Sequence, residues 1–287
     1  MTQAALAFSV MSVFVKWLGA RLPTQEIVFV RSLVSLAISL ALLRRAGVAP
    51  GGNRRWLLLL RGTWGFFALS CAFYALANLP LADATMIQYL HPSFTALLAA
   101  LLLGERADRS LVASIALGSA GVLLVTRPAF LFGGAASALP PLAVAAALGG
   151  ALLTAVAYVG VRSLSATEHP LVIVLYFPLV AAPASLPSVL ARGVWPQGIE
   201  WLCLAGVGVS AQLGQLWLTR GLALETASRA TALSYLQIVF ATLWGMLFFG
   251  ELPGPYTLAG AGLIAAGMAV GARAAMLRGR AEAAAAQ

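Results

Sequence analysis

Apolar residues run along this chain in long blocks rather than in alternation. Positions 62–82, 84–104, 170–191, 230–250 and 252–272 contain no Asp, Glu, Lys or Arg. Each block supplies the roughly 20 apolar residues an α-helix needs to cross a bilayer core. Strands of a membrane barrel would alternate polar and apolar positions, and these blocks do not. Breaks at Pro, Gly and charge clusters predict ten spans, at about 3–19, 26–43, 56–78, 81–103, 109–126, 141–163, 169–191, 199–219, 227–249 and 256–277. The expected fold class is all-α integral membrane.

Composition agrees. The chain is 61% hydrophobic and only 9% charged, against about a quarter charged in an ordinary soluble domain, so it cannot cover a water-facing surface. The net charge of +9 therefore points to membrane topology rather than to nucleic acid. Cys71 and Cys203 both lie inside apolar segments, which supports neither a disulfide framework nor a zinc site. No metal or cofactor is expected. The first apolar stretch starts without a basic n-region and is read as a retained helix. Lys16 is the sole lysine; that Arg bias and the abundant Ala suit a GC-rich bacterial genome, hence a bacterial inner (plasma) membrane.

Positive charge sets direction. With a cytoplasmic N-terminus, the inner loops and tail hold Arg44, Arg45, Arg54, Arg55, Arg106, Arg109, Arg162, Arg220, Arg229, Arg273, Arg278 and Arg280. The outer loops hold Arg21, Arg127 and Arg192, while Lys16, Arg31 and Arg61 lie within spans. Twelve against three is the excess that the positive-inside rule demands, so both termini are expected in the cytoplasm.

Sliding the chain on itself by 146 positions brings spans four and five onto spans nine and ten without a gap. Tyr89-Leu90 falls on Tyr235-Leu236, Phe94 on Phe240, Gly104-Glu105 on Gly250-Glu251, Gly121 on Gly267 and Arg127 on Arg273. The expected organisation is a first five-helix repeat at 1–127, a linker at 128–141, and a second five-helix repeat with a short cytoplasmic tail at 142–287. Five is odd, so the second repeat is inverted. Two equivalent halves give inward-open and outward-open states of similar energy, the basis of alternating access.

The 5+5 plan, the Gly-Glu after spans four and nine, and Arg31 in span two resemble the drug/metabolite transporter (DMT) superfamily. More narrowly they resemble its EamA-type branch, which includes YddG-like bacterial amino-acid exporters. The resemblance implies a central cavity lined mainly by spans one, three, four, six, eight and nine.

Polar residues inside apolar helices are costly unless they pair or face water, so their positions carry information. Thr85, Gln88 and His91 share a face of span four, and the repeat maps them to Thr231, Ser234 and Gln237 in span nine. Two opposed strips would either bind substrate or hold helices together. Pro92 removes a backbone donor and obstructs the Gln88 carbonyl, which predicts a kink in span four. Trp64, Phe67 and Tyr74 in span three form an aromatic strip. Tyr89 and Tyr235 lie mid-helix; Tyr158, Gln212, Gln215 and Trp217 complete the candidate substrate-binding set. The small residues Gly206, Ser210, Gly214, Ser114, Gly118, Gly267 and Gly271 are read as packing stripes.

All nine acids fall in loops or at span ends, so no mid-membrane carboxylate exists to couple protons or sodium. A lipid-modifying enzyme would need paired carboxylates near an interface, and that pattern is missing. The expectation is a secondary exporter of small zwitterionic metabolites, led by aromatic or other apolar amino acids. The alternative is a carrier of organic anions or nucleosides that uses Arg31 or Lys16. The expected partners are the substrate and the lipid bilayer, and nothing in the sequence demands more than a monomer.

Overall fold

The computed structural model describes residues 1–79, 81–105, 108–126, 140–250 and 254–285. Most of the expected linker, together with Arg127 and Glu251 of the repeat comparison, lies outside them. Among the described residues every regular element is a helix.

The first half comprises α1 (Thr2–Leu18), α2 (Thr24–Ala46), α3 (Arg55–Asn78), α4 (Leu81–Gln88), α5 (His91–Leu103) and α6 (Arg109–Thr126). The second comprises α7 (Pro141–Leu164), α8 (Pro170–Arg192), α9 (Glu200–Leu224), α10 (Ala227–Ala232), a 3-10 turn at Leu233–Tyr235, α11 (Leu236–Phe249) and α12 (Pro255–Ala285). Among the described residues six stretches are long and apolar enough to cross a membrane: Thr24–Ala46, Arg55–Ala75, Pro141–Leu164, Pro170–Arg192, Glu200–Leu224 and Ala227–Phe248. Thr2–Leu18, His91–Leu103, Arg109–Leu124 and Pro255–Gly271 are shorter apolar helices. The ten expected spans are thus not ten equal membrane-long helices. Span four is short because it breaks, and the 17 residues of α1 reach only about 25 Å at 1.5 Å per residue.

Polarity is arranged for lipid rather than water. Leu101, Leu190, Leu202 and Leu247 are each more than two-thirds exposed on the bundle surface, while Gln212, Arg61 and His91 are buried. Such an outward apolar surface is sustainable only in a bilayer.

The helices pair with approximate twofold symmetry. α2 packs on α8, and α6 on α12, each span on its counterpart in the other half. Contact of α3 with α7 is matched by α1 with α9, α3 with α8 by α9 with α2, and α5 with α7 by α11 with α1. The α6–α12 seam depends on small residues. A Cβ on Gly121 would lie 2.6 Å from the Gly260 carbonyl oxygen, and one on Gly267 would lie 2.9 Å from that of Ser114. Backbones approach this closely only where side chains are absent. Gly104 ends α5 at φ 66, ψ 20, and Gly250 ends α11 at φ 65, ψ 18. This left-handed cap strains residues with a Cβ, which accounts for the glycine at both Gly-Glu positions.

Candidate functional site

Span four does not merely kink. α4 stops at Gln88 and α5 restarts at His91, with Pro92 at its second position, where a missing N–H costs least. Span nine interrupts at the matching place, through the 3-10 turn at 233–235, although Ile238 stands where span four has Pro92. In that turn the Ser234 hydroxyl donates to the Thr231 carbonyl at 2.6 Å, a side-chain bond that competes with the helical ladder.

The two breaks face each other. His91 Nε2 lies 3.4 Å from Ser234 Oγ, and the Tyr158 ring meets the His91 ring edge-on at 5.5 Å. His91, Tyr158, Ser234 and Gln237 line a cavity together with Met1, with Ala4, Ala5 and Phe8 of α1, and with Leu218 of α9. Its volume of about 30 Å³ holds one or two waters, since one water needs some 10–15 Å³. His91 Nδ1 and Gln88 Oε1 are buried without a partner. Buried polar atoms of this kind ordinarily find one, so a water or ligand polar group is the natural complement.

Other candidates have different surroundings. Gln88 donates from Nε2 to Thr154 Oγ1 at 3.3 Å, towards α7 rather than span nine. Tyr89 and Tyr235 stack on each other with ring centroids 6.1 Å apart, as symmetry-related residues at an axis would. Tyr235 is 1% exposed and its hydroxyl lies 2.9 Å from Ser119 Oγ, so the pair pins the breaks against α6 rather than lining the cavity. Trp64 packs over Gly160 of α7. Phe67 and Tyr74 are 52% and 43% exposed, in line with Trp56 and Leu59 on the face of α3 away from α7 and α8. Phe67 and Tyr74 thus lie on the exposed face of α3, away from the cavity beside His91, while Trp64 turns towards α7.

Span eight's polar residues join helices. Gln212 is 1% exposed and donates from Nε2 to Ser39 Oγ of α2 at 2.7 Å, with its Oε1 left bare. Trp217 packs against the central apolar cluster around Leu218 and Leu222. Gln215 Oε1 accepts from Arg61 Nη2 at 2.9 Å.

That last contact exposes what sequence reasoning passed over. By sequence Arg61 is distinguished only as a basic residue within a span. It is 3% exposed, Arg31 is 7% exposed, and both guanidinium groups sit over one ring, that of Phe177, at 5.8 and 5.1 Å from its centroid. No carboxylate pairs with either among the described residues. A single arginine at mid-membrane costs about 2.5–3.5 kcal/mol on insertion scales, so a buried pair with no described counter-charge marks a candidate functional site.

Polar contacts tie helices of the two halves together at both ends of the bundle. At the face carrying the 47–54 connection, Glu105 accepts from the Ala227 and Ser228 amides at 2.9 and 3.3 Å and from the Ser228 hydroxyl at 2.9 Å. Arg162 Nε stands 4.0 Å from the same carboxylate, and Arg162 Nη1 donates to the Leu222 and Ala223 carbonyls. Arg229 pairs with Asp108 at 2.7 Å. At the opposite face Arg21 forms an ion pair with Glu200, and Glu26 accepts from the Val194 amide at 2.8 Å. These contacts hold the first half of the chain to the second at each end of the bundle. Among the described residues no cluster of three or more His, Cys, Asp or Glu is placed to hold a metal.

The model of the EamA-like transporter family matches residues 2–127 and again residues 141–271. The chain belongs to the EamA-like transporter family. It is accordingly a multi-pass membrane transporter of the DMT type rather than an enzyme. The pseudopaline exporter CntI of Pseudomonas aeruginosa (strain UCBPP-PA14) is 39% identical over 262 residues, covering 91% of this chain and 90% of the relative. Solute carrier family 35 member G1 of Mus musculus is 29% identical, covering 90% of this chain and 73% of the relative. A riboflavin transporter of Rhizobium johnstonii is 28% identical, covering 92% and 86%. A solved crystal structure superposes with a TM-score of 0.84 at 25% identity, covering 98% of this chain and 96% of the other. Family membership places the residues around the two breaks in a transporter.

Proposed function

We propose that this EamA-family transporter exports a small amino-acid-like metabolite across a bacterial inner membrane by alternating access. The reading takes the chain as two inverted five-helix repeats with both termini in the cytoplasm. The observation that carries it is the meeting of two broken spans, one from each half, at a small cavity lined by His91, Ser234, Gln237 and Tyr158 among others. Interrupted spans put polar groups at mid-depth without leaving backbone exposed to lipid. The symmetric helix pairing supports two halves that exchange roles, and the twelve-to-three distribution of Arg supports the orientation.

The substrate groups that fit this cavity are amines, hydroxyls and amides. Among the residues that line it, His91 has an unpartnered buried atom, Nδ1. A preference for aromatic side chains loses its main support, since Phe67 and Tyr74 face outward and Trp64 is packed on Gly160. The named cargoes of the relatives, pseudopaline and riboflavin, support a polar organic substrate.

Counterflow into proteoliposomes tests this. Purified protein in vesicles preloaded with an amino acid should accumulate the labelled compound down the exchange gradient, and pseudopaline should compete. Absence of exchange for amino acids, riboflavin and pseudopaline alike, with monodisperse protein, refutes the assignment. The organic-anion reading is favoured by one separate observation, the Arg31–Phe177–Arg61 cluster.

A further inference from the structure

We propose that Arg31 and Arg61, flanking the Phe177 ring, form the site for the substrate's carboxylate groups, so that the exported molecule is a net-anionic amino-carboxylate. This rests on the exporter reading above and names its substrate class.

Both guanidinium groups are more than nine-tenths buried, and each has bare donors: Nε of Arg31, and Nε and Nη1 of Arg61. The acids whose partners are described are engaged elsewhere. Glu26 binds the Val194 amide, Glu105 the start of α10, and Asp108 Arg229. Glu168 takes the Asn53 and Arg54 amides, Glu200 pairs with Arg21, and Glu225 faces Arg229. Two cations in a membrane-spanning bundle thus share a neutral aromatic ring and one amide, that of Gln215, in place of an anion. Guanidinium groups match carboxylates bidentately, which makes a carboxylate the ligand that satisfies the bare donors.

The ring itself is seated by design of the backbone. A Cβ on Gly65 would lie 2.9 Å from Phe177 Cδ2, so the ring rests on α3 only because position 65 has no side chain. Arg31 is the eighth residue of α2 and Arg61 the seventh of α3. Those helices run antiparallel, so the two side chains reach Phe177 from opposite ends of the bundle.

The cluster adjoins the cavity. Gln215 precedes the cavity-lining Leu218 by one helical turn on the same face of α9, and Arg61 lies in electrostatic range of the cavity-lining Tyr158. In this proposal the cavity widens when substrate binds, so that one molecule places its amine or hydroxyl at His91 and Ser234 and its carboxylate at Arg61.

Thermal unfolding of the protein in neutral-lipid nanodiscs tests the proposal, with citrate, L-glutamate, L-glutamine and inorganic phosphate as probes at matched ionic strength. Citrate and glutamate should raise the unfolding temperature, and glutamine should not. Arg31→Met and Arg61→Met should melt at or above the parent without ligand, since each removes an uncompensated cation, and should bind glutamate and citrate at least tenfold more weakly. A lower ligand-free melting temperature in both variants assigns the pair a structural role and overturns the proposal. So does a parent that ignores both carboxylates, or variants that keep its response. A response confined to inorganic phosphate, or to phosphatidylglycerol added to the nanodiscs, makes the pair a phosphate or lipid site and overturns it equally. Counterflow separates the two readings. If parent vesicles exchange none of glutamate, glutamine, riboflavin and pseudopaline, the exporter assignment fails and this proposal with it. If they exchange glutamine in preference to glutamate, and the arginine variants do the same, the exporter stands and the anion site falls.

Discussion

Removing the Glu105 carboxylate should unlatch the face of the bundle that carries the 47–54 connection. Glu105 follows α5 in the first half, yet it accepts three hydrogen bonds from the first residues of α10 in the second half, two from backbone amides and one from the Ser228 hydroxyl. Those amides are unpaired donors at a helix start, and a carboxylate is their best partner. Hydrogen bonds to a charged group contribute about 1.5–3 kcal/mol each when buried. Water replaces part of that once the latch opens, so a net loss of about 2 kcal/mol for the whole contact is reasonable. A tenfold change in an equilibrium corresponds to about 1.4 kcal/mol, so Glu105→Ala should shift the balance towards the open form by roughly thirtyfold. The assay places a thiol at Ala5, a small buried residue of the cavity wall, in a Cys71→Ser, Cys203→Ser background. Ala5→Cys should react slowly with an impermeant thiosulfonate in the parent. In the Glu105→Ala protein it should react about thirtyfold faster, from the cytoplasmic side only, as compared in inverted vesicles and intact cells. Glu105→Gln, which keeps one acceptor, should fall between. Labelling at the parent's rate from both sides refutes the latch.

Further outcomes follow from other contacts. A Cβ on Gly118 would lie 2.5 Å from Tyr235 Cε2, so Gly118→Ala should displace the Tyr89–Tyr235 stack and destabilise by about 1–3 kcal/mol in thermal unfolding. Gly149→Ala, with nothing within 4 Å, should melt no lower than the parent. Gln88→Ala and Gln237→Ala should each weaken amino-acid binding by about 1–3 kcal/mol, roughly five- to hundredfold in competition assays, whatever the ligand side chain. Parent-like binding by both would make the strips packing contacts. Gly51→Cys should label from the cytoplasm and not from outside in intact cells, as the distribution of arginine requires; external labelling would reverse the topology.

Much of the architecture is local and was legible in the residues themselves. Long charge-free blocks must become helices in lipid, because nothing there hydrogen-bonds an open backbone, and every described element is a helix. The left-handed caps at Gly104 and Gly250 follow from glycine just past an apolar run, and the break before Pro92 follows from a missing N–H. Helical periodicity also groups Gln88 with His91. It cannot say which neighbour a face meets, and lipid and protein interior are equally apolar, so hydropathy does not separate them. That is why Phe67 and Tyr74 turned out to face lipid while Trp64, only slightly rotated from them, packs on Gly160. The interruption of span nine at Leu233–Tyr235 has no proline to announce it, and its Ser234 meets His91 across 143 residues of sequence. The gathering of Arg31 and Arg61 over Phe177 is likewise a product of three helices distant in the chain. Backbone chemistry and hydropathy determine which segments become helices. The rotation of each helix about its axis is set by side-chain packing between segments far apart, and the tertiary structure alone decides it.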